Sequence, residues 1–291
     1  MPKHTNLRIA ITGANGFVAK NVRNYLHNKG IELIGIARTN FQNYKSEIKL
    51  ISSEFKEQNL LSKLKTCNAL IHLIGSGRQS SYADYESVNV EITTKIVELC
   101  KKAKIKKIVY ISGLGVSKDS TLGYFISKFK AEQQIIKSGL DYTIFRSSYI
   151  IGNGDPLTKN LNRQIKKGLI IIPGSGKYNI QPIFVNDVAN VIWKAVISKK
   201  FSNKILDLVG PEKVSFNEFV KVFNNKSKTK IQNIDLEKVY YKALHNSDSE
   251  YGPDDLSILV GDFAGNYKKL KNLAGFEFRK YREVLHSSSV S

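Results

Sequence analysis

The sequence predicts an α/β fold, in which a doubly wound parallel sheet is followed by a small, mostly helical C-terminal lobe. Apolar strands alternate with amphipathic helices through the first half, a glycine-rich turn follows the first strand, and turn-rich sequence replaces the alternation after Tyr149. Alternating strands and helices are typical of a parallel sheet covered by helices on both faces. A chain of 291 residues with 42% hydrophobic residues can form such a core.

Six strands and three long helices are predicted before residue 150. Each strand is a short apolar run that polar or turn residues bound, and each helix carries apolar residues at helical spacing. Right-handed crossovers would place the strands in doubly wound order. The predicted strands are 8–11, 32–37, 48–51, 69–74, 107–111 and 142–145, and the predicted helices are 16–29, 85–102 and 122–137.

The second half predicts a return to the sheet and then a lobe. Its predicted elements are a strand at 180–185, a helix at 186–198, a strand at 205–209 and mostly helical sequence from 210 onward. We therefore expect residues 1–150, with 180–209 returning to them, to form the parallel-sheet domain. Residues 151–179 and 210–291 would form the smaller lobe.

The run from Thr12 to Ala19 reads Gly-x-x-Gly-x-x-Ala between a strand and a helix. Gly13 permits a tight turn, Gly16 lets the backbone approach a pyrophosphate, and Ala19 lets the helix pack closely on the strand. The helix N-terminus then stabilises the negative charge. A plain structural turn is the alternative, but the position directly after the first strand favours dinucleotide binding.

The end of the second strand predicts which dinucleotide is bound. Sites that prefer NAD place an Asp or Glu there for the ribose 2′-hydroxyl, whereas this chain has Ala37 followed by Arg38. Arg38 could pair with a 2′-phosphate, with Thr39 and Asn40 adding hydrogen bonds. We therefore expect NADP, with NAD as the other option; an ordinary surface arginine is the alternative interpretation of Arg38.

Tyr124 and Lys128 are four residues apart on a predicted helix, so their side chains share one face. A nearby ammonium stabilises a phenolate and would lower the tyrosine pKa from about 10 towards a range useful for proton transfer. The spacing also arises by chance, since the chain has 14 tyrosines. The position directly after the strand at 107–111 favours the functional interpretation.

Charge and cysteine content limit the other function classes. The formal charge is +20, but the lysines are scattered through several segments, which does not favour a nucleic-acid role. Cys67 and Cys100 show no metal-ligand spacing, and His72 on a strand is typical of a core histidine, so no metal site is expected. Two isolated thiols and no long apolar stretch predict a cytoplasmic protein that does not enter a membrane.

Several further segments complete a family pattern. The sequence resembles the extended or atypical short-chain dehydrogenases/reductases, a group with NAD-dependent epimerases and dehydratases, NmrA-like regulators and an accessory subunit of respiratory complex I. The segments that carry the resemblance, besides the glycine loop and the Tyr124/Lys128 pair, are Ile71-His72-Leu73-Ile74-Gly75, Val88-Asn89-Val90-Glu91, Tyr110-Ile111-Ser112-Gly113, Phe145-Arg146-Ser147 and Val185-Asn186-Asp187-Val188.

The resemblance implies a Rossmann-type domain whose smaller lobe lies on the substrate side. It implies hydride transfer at a carbonyl or alcohol carbon, with Tyr124 as acid/base, Lys128 holding the ribose and lowering the Tyr124 pKa, and Ser112 as a helper. The substrate would be a small carbonyl compound, an alcohol or a nucleotide sugar. The implied cofactor residues are Gly13, Asn15, Gly16, Phe17, Val18, Arg38, Gly75, Tyr124 and Lys128.

Two departures from the family pattern keep other functions open. Family enzymes hold the substrate carbonyl with a Ser or Thr where this chain has Gly113 and Leu114, and Ser147 replaces the proline that usually follows Arg146. One alternative is a non-catalytic dinucleotide-binding redox sensor or assembly scaffold, acting as a homodimer or with an assembly partner. Another is an RNA-binding relative that uses the basic surface.

Overall fold

The apolar strands of the first half form the centre of the computed structural model, which describes residues 7–55, 58–77, 84–246 and 248–287. The strands are β1 (Arg8–Thr12), β2 (Glu32–Ala37), β3 (Glu47–Ile51), β4 (Ala69–His72), β5 (Lys107–Gly113), β6 (Asp141–Ser147), β7 (Ile150–Ile151), β8 (Leu169–Pro173), β9 (Asn179–Ile180), β10 (Ile183–Phe184), β11 (Lys204–Leu208), β12 (Val214–Ser215) and β13 (Lys230–Ile234).

The helices alternate with these strands in the first half and dominate the last third of the chain. They are α1 (Phe17–His27), α2 (Gln58–Leu64), α3 (Ile92–Lys102), α4 (Gly123–Ile136), α5 (Pro156–Lys166), α6 (Val185–Ile197), α7 (Phe216–Asn224), α8 (Leu236–His245), α9 (Pro253–Leu259), α10 (Tyr267–Ala274) and α11 (Tyr281–Ser287). A π-helical turn, Glu86–Glu91, leads directly into α3.

The central sheet is parallel and has seven strands in the order β11-β6-β5-β4-β1-β2-β3. From β1 the chain adds β2 and β3 on one side of the sheet, and then β4, β5 and β6 on the other side. The gap between β1 and β4, where the order of strands reverses, is the switch point at which ligands bind in doubly wound folds. Helices α1 and α6 pack on one face, and α3 and α4 on the other. The predicted Rossmann-type doubly wound fold is confirmed.

The lobe has a hydrophobic core of its own. Ile170 and Ile172 of β8, Phe216 and Phe219 of α7 and Leu256 of α9 are buried in it. Strand β13 pairs in parallel with β8, and two more short pairs, β7 with β10 and β9 with β12, lie outside the central sheet. Helix α10 departs from the predicted boundary, because Leu270 and Ala274 pack into the core beside the central sheet.

One element prediction in the second half is wrong. The stretch 180–185 does not return to the central sheet as a strand, since β9 and β10 are two-residue strands on either side of Gln181 and Pro182. Proline lacks the N–H that a strand ladder needs, and the Gln181 side chain instead donates to the Gly210 carbonyl. The region after 210 is mostly helical, as predicted, and also contains the short strands β12 and β13. No helix of the described residues is long and apolar enough to cross a bilayer.

Candidate active site

The glycine loop after β1 can adopt its shape only without side chains. Gly13 has a φ of +71°, and a Cβ there would lie 3.0 Å from the Leu73 carbonyl oxygen. Gly16 donates a backbone hydrogen bond to Gly13 (2.8 Å) and occupies the N-cap of α1, where no side chain caps the helix. The N–H groups of the first turn therefore remain available to an anion, which the helix dipole attracts.

Asn15 connects this loop to the segment that follows β2. Its Nδ2 donates to Thr39 Oγ1 at 3.0 Å and lies 3.3 Å from the Asn40 carbonyl oxygen. Arg38 is exposed beside this contact, and Lys49 Nζ donates to Asn40 Oδ1 at 2.8 Å. Two cations thus lie near the carboxyl end of β2, and Glu32 pairs with Arg8 at the opposite end of the strand.

A cavity of about 520 Å³ opens between the carboxyl ends of the central strands and the lobe. Of the residues that the sequence analysis named, Gly16, Phe17, Val18, Gly75, Ser112, Tyr124 and Lys128 line it together. Gly13, Asn15 and Arg38 do not line the cavity. Gly13 lies in the tight turn after β1, and Asn15 and Arg38 lie near the carboxyl end of β2.

Lys128 of α4 is buried beneath this cavity at 5% exposure. Its Nζ donates to Tyr110 Oη at 3.1 Å and to the Ile111 carbonyl at 3.4 Å. Gly75 makes room for the ammonium, because a Cβ there would lie 2.6 Å from Nζ. Burial lowers the pKa of Lys128 to about 8, although the Glu132 carboxylate opposes this.

Tyr124 is less acidic than the sequence predicted. Burial raises the pKa of its hydroxyl to about 12, and the negative charge of Glu132 adds to the effect. The prediction that Lys128 lowers this pKa is wrong for this arrangement, since the ammonium donates its hydrogen bonds to Tyr110 and Ile111. Tyr124 is therefore protonated at neutral pH.

At Gly113, where family enzymes have a Ser or Thr, the Tyr124 ring occupies the space of the missing side chain. A Cβ at Gly113 would lie 2.9 Å from Tyr124 Oη, so the tyrosine fills the space that a side chain at 113 would need. Leu114 donates its backbone N–H to Ser147. Ser112 Oγ is buried against the cavity without a hydrogen-bond partner among the described residues. A buried hydroxyl in this state favours a ligand partner.

Sequence reasoning quoted Asn89 but did not assign it to the site. Asn89 lies in the π-helical turn and is fully buried. Its side chain accepts from Ser76 N–H (2.9 Å), donates to the Ser76 carbonyl (3.1 Å) and donates to Ser127 Oγ (3.0 Å). Asn89 thereby positions the loop after β4 against α4. A π-helical turn often marks a functional site.

His72 is a structural residue, as its strand position indicated. Its ring nitrogens lie 2.8 Å from Thr12 Oγ1 and 3.0 Å from Thr93 Oγ1, and its ring stacks on Tyr110. Burial, together with the charge of Lys128, lowers the pKa of His72 to about 3. The ring is therefore neutral and joins β1, β4 and α3.

An ion pair between the partly buried Arg146 and the buried Glu132 supports α4 from the side of β6. Arg146 donates to both carboxylate oxygens of the fully buried Glu132, at 3.0 and 2.7 Å. A bidentate arginine–carboxylate pair has a defined geometry. This pair therefore holds the helix that carries Tyr124 and Lys128 against the strand next to the cavity.

The lobe side of the cavity is formed by residues that the sequence did not identify. Tyr149 follows β6, Tyr251 precedes α9, Ile258 belongs to α9 and Phe263 follows it. The Phe263 ring packs edge-on against Phe125 of α4 at 5.2 Å between centroids. A side chain at Gly115 would collide with the Phe263 ring. These residues are far apart in sequence and carry no local pattern.

Comparison with known proteins places the chain among nucleotide-cofactor proteins. A family model described as the NAD dependent epimerase/dehydratase family matches residues 9–206. The chain is 27% identical over 169 residues to "NADH dehydrogenase [ubiquinone] 1 alpha subcomplex subunit 9, mitochondrial" from Arabidopsis thaliana, covering 57% of this chain and 42% of that protein. It is 22% identical over 213 residues to the "Uncharacterized sugar epimerase YhfK" of Bacillus subtilis, covering 69% of this chain and 94% of that protein.

The chain spans 42%, 63% and 59% of the length of three curated subunit 9 relatives, those from Arabidopsis thaliana, Dictyostelium discoideum and Mus musculus. Solved structures share the fold at low identity. "MoeE5 in complex with UDP-glucuronic acid and NAD" superposes with a TM-score of 0.76 at 19% identity, covering 96% of both chains. A UDP-glucuronic acid 4-epimerase from Bacillus cereus superposes with a TM-score of 0.76 at 16% identity, covering 97% of this chain and 98% of that one.

Proposed function

The chain belongs to the NAD-dependent epimerase/dehydratase family, and from that premise we propose that it is an NAD(P)-dependent enzyme of the oxidoreductase or epimerase type. It acts at a carbonyl or alcohol carbon of a small molecule. One observation carries the proposal: Tyr124, Lys128 and Ser112 line the same cavity as the N-terminus of α1 and the loop after β4.

The residues present fit a dinucleotide. Side chains at Gly13 and Gly75 would collide with their surroundings, so both positions keep the backbone open. The uncapped start of α1 would hold the pyrophosphate, and Lys128 would hold the ribose next to the reacting carbon. A dinucleotide held in this way would supply or accept the hydride.

Tyr124 provides the proton. With a pKa near 12, its Oη carries a proton at neutral pH and donates it to a substrate carbonyl oxygen. Lys128 donates its hydrogen bonds to Tyr110 Oη and the Ile111 carbonyl, so its part in the reaction is to hold the cofactor ribose. Ser112 Oγ supplies a second hydrogen bond to the substrate oxygen, in place of the missing side chain at Gly113.

The β2 end supports NADP over NAD as the cofactor. Arg38 and Lys49 form a cationic edge there, and Asn15 holds Thr39 and Asn40 beside it. A 2′-phosphate would gain charge-assisted hydrogen bonds at this edge. The 2′-hydroxyl of NAD usually binds an Asp or Glu at the end of this strand, and here those positions are Ala37 and Arg38.

Replacing Tyr124 tests the catalytic role. Tyr124→Phe removes the proton donor and leaves the ring, so turnover of a carbonyl substrate should fall by roughly 10²–10⁴ while cofactor affinity stays the same. Tyr241→Phe is the matched control, because Tyr241 is 68% exposed on α8. Lys128→Ala should reduce both turnover and cofactor affinity. A substrate that Tyr124→Phe turns over at the wild-type rate would refute the assignment.

A non-catalytic scaffold is the second candidate, and Gly113 is the observation that favours it. Several relatives are named as subunits of a respiratory complex, and a scaffold would act through a homodimer or an assembly partner. It would keep the dinucleotide site and need no proton donor. This candidate predicts that the chain binds the cofactor but turns over no carbonyl or alcohol in a substrate screen. It also predicts that Tyr124→Phe binds the cofactor as tightly as the wild type.

A further inference from the structure

The lobe wall of the cavity is apolar and aromatic. Facing Tyr124 from the lobe are Tyr149, Leu157, Ile180, Tyr251, Ile258 and Phe263. The Tyr251 hydroxyl is directed away from a ligand, since it donates to the Ile171 carbonyl at 2.8 Å. Asn160, Asn179 and Asp255 also line this side, but apolar surface exceeds polar surface in the cavity lining.

Carboxyl groups lie at the two helix starts beside the cavity on the lobe side. Asp155 is fully buried at the start of α5, where it accepts from Thr158 N–H (2.8 Å), Thr158 Oγ1 (2.6 Å) and Gly152 N–H (3.1 Å). Asp255 lines the cavity in the first turn of α9 and accepts from Gly252 N–H at 3.0 Å. The N–H groups that Asp155 binds are unavailable to a phosphate, and both carboxylates would repel it.

Cationic side chains are scarce in the described part of the cavity lining. Among the described residues that line the cavity, Lys128 is the cation, and it lies at the cofactor end. Burying a second diphosphate with neither cations nor free N–H donors is strongly unfavourable, because anions need paired charges or donors when water is removed. Arg78, close in sequence to the Gly75 loop, lies outside the described residues.

We infer that the substrate of this site is an uncharged, largely hydrocarbon ketone, aldehyde or secondary alcohol, and not a nucleotide sugar. This inference rests on the proposed function for the identity of the reacting group. The substrate oxygen meets Tyr124 Oη and Ser112 Oγ, and the rest of the molecule packs against the rings and aliphatic side chains of the lobe wall. Apolar walls with a few converging polar groups are typical of such sites.

Binding and turnover are measured separately so that the two proposals can fail separately. The full chain is saturated with oxidised dinucleotide, which cannot reduce a ketone, and titrated calorimetrically with 4-phenyl-2-butanone, UDP-glucose and UDP-glucuronic acid. We expect the ketone to bind and each UDP-sugar to bind at least about tenfold more weakly. The same ketone is then offered with reduced dinucleotide, and dinucleotide oxidation is followed by absorbance.

Two isoleucine variants locate the binding. Ile258→Ser shortens the lobe wall and should weaken ketone binding about fivefold to tenfold. Ile197→Ser is the matched control, because Ile197 is 40% exposed at the end of α6, and it should bind like the wild type. Ketone binding that both variants leave unchanged would place the ketone elsewhere and overturn the inference.

The remaining outcomes separate the two proposals. A UDP-sugar that binds more tightly than the ketone overturns the inference, and loss of that binding in Arg78→Ala would identify the missing cation. Binding of neither ligand class also overturns it. A ketone that binds at the Ile258 wall but is never reduced contradicts the proposed function and leaves the assignment of an apolar site intact.

Discussion

Replacing the buried Lys128 with methionine should change stability in a pH-dependent way. The ammonium is 5% exposed, and its hydrogen-bond acceptors are a phenol and a carbonyl group, not a carboxylate. Burial lowers the pKa of Lys128 from 10.5 to about 8. Since each pH unit of difference corresponds to about 1.4 kcal/mol, the charged side chain destabilises the fold by about 3 kcal/mol at pH 7.

The sign follows from where the proton is bound. Below pH 8 the lysine is charged in both states, and the full penalty applies. Between pH 8 and 10.5 the unfolded chain holds a proton that the folded chain has lost, so the penalty declines as pH rises. It should be about 1.4 kcal/mol at a pH of about 9.5. The advantage of Lys128→Met over the wild type should therefore shrink by about 2 kcal/mol between about pH 7 and 9.5.

Urea unfolding of the chain without cofactor, at both pH values, measures this difference. The lost hydrogen bonds to Tyr110 and Ile111 affect both values alike and cancel in the comparison. Lys107→Met is the control, because Lys107 is similarly buried at 8% exposure but donates to Asp141 at 3.3 Å. That variant should be less stable than the wild type at both values. A stability difference for Lys128→Met that is constant or grows with pH would refute the reasoning.

Three further predictions concern the cofactor, the proton and the buried histidine. Arg38→Ala should weaken NADPH binding by about 1.5–3 kcal/mol and NADH binding much less; fluorescence titration checks this, and an unchanged affinity ratio contradicts it. Because the Tyr124 pKa is about 12 and Lys128 keeps its charge below its pKa of about 8, carbonyl reduction should be independent of pH from about 6 to 7, and alcohol oxidation should rise about tenfold per pH unit over the same range; a break in the rate profile within that range contradicts this. The pKa of His72 falls from 6.5 to about 3 on folding, so the unfolded chain alone takes up that proton below pH 6.5. The free energy of unfolding should then fall by up to about 1.4 kcal/mol for each unit by which the pH drops below 6.5. Urea unfolding at several pH values should show a smaller pH dependence in His72→Gln.

The predictions that held depend on local pattern. The strand Glu32–Ala37 has the bounds that its apolar run indicated, and the doubly wound arrangement of the strands agrees with the right-handed crossover rule. Tyr124 and Lys128 both reach the cavity, because helical spacing alone determines that they share a face.

What the sequence could not predict depends on contacts between distant residues. The pKa of Tyr124 is governed by burial and by Glu132, whose own position depends on Arg146 across the sheet. Phe263 reaches the cavity only because the chain returns after α9 to pack on Phe125. The strand β13 has no clear alternation, and its pairing with β8 determines its conformation.

The pairing of β11 with β6 and of β13 with β8 determines when the cavity can form during synthesis. Six of the seven strands of the central sheet have been synthesised once the chain reaches Ser147. The seventh, the edge strand Lys204–Leu208, is synthesised much later. The lobe needs β13 to complete β8 and then Tyr281 to pack on Phe219. Contacts this distant in sequence form slowly. On a growing chain, the glycine loop and α1 are therefore synthesised long before the wall that will face them, and a nascent chain could bind dinucleotide before it could enclose a substrate.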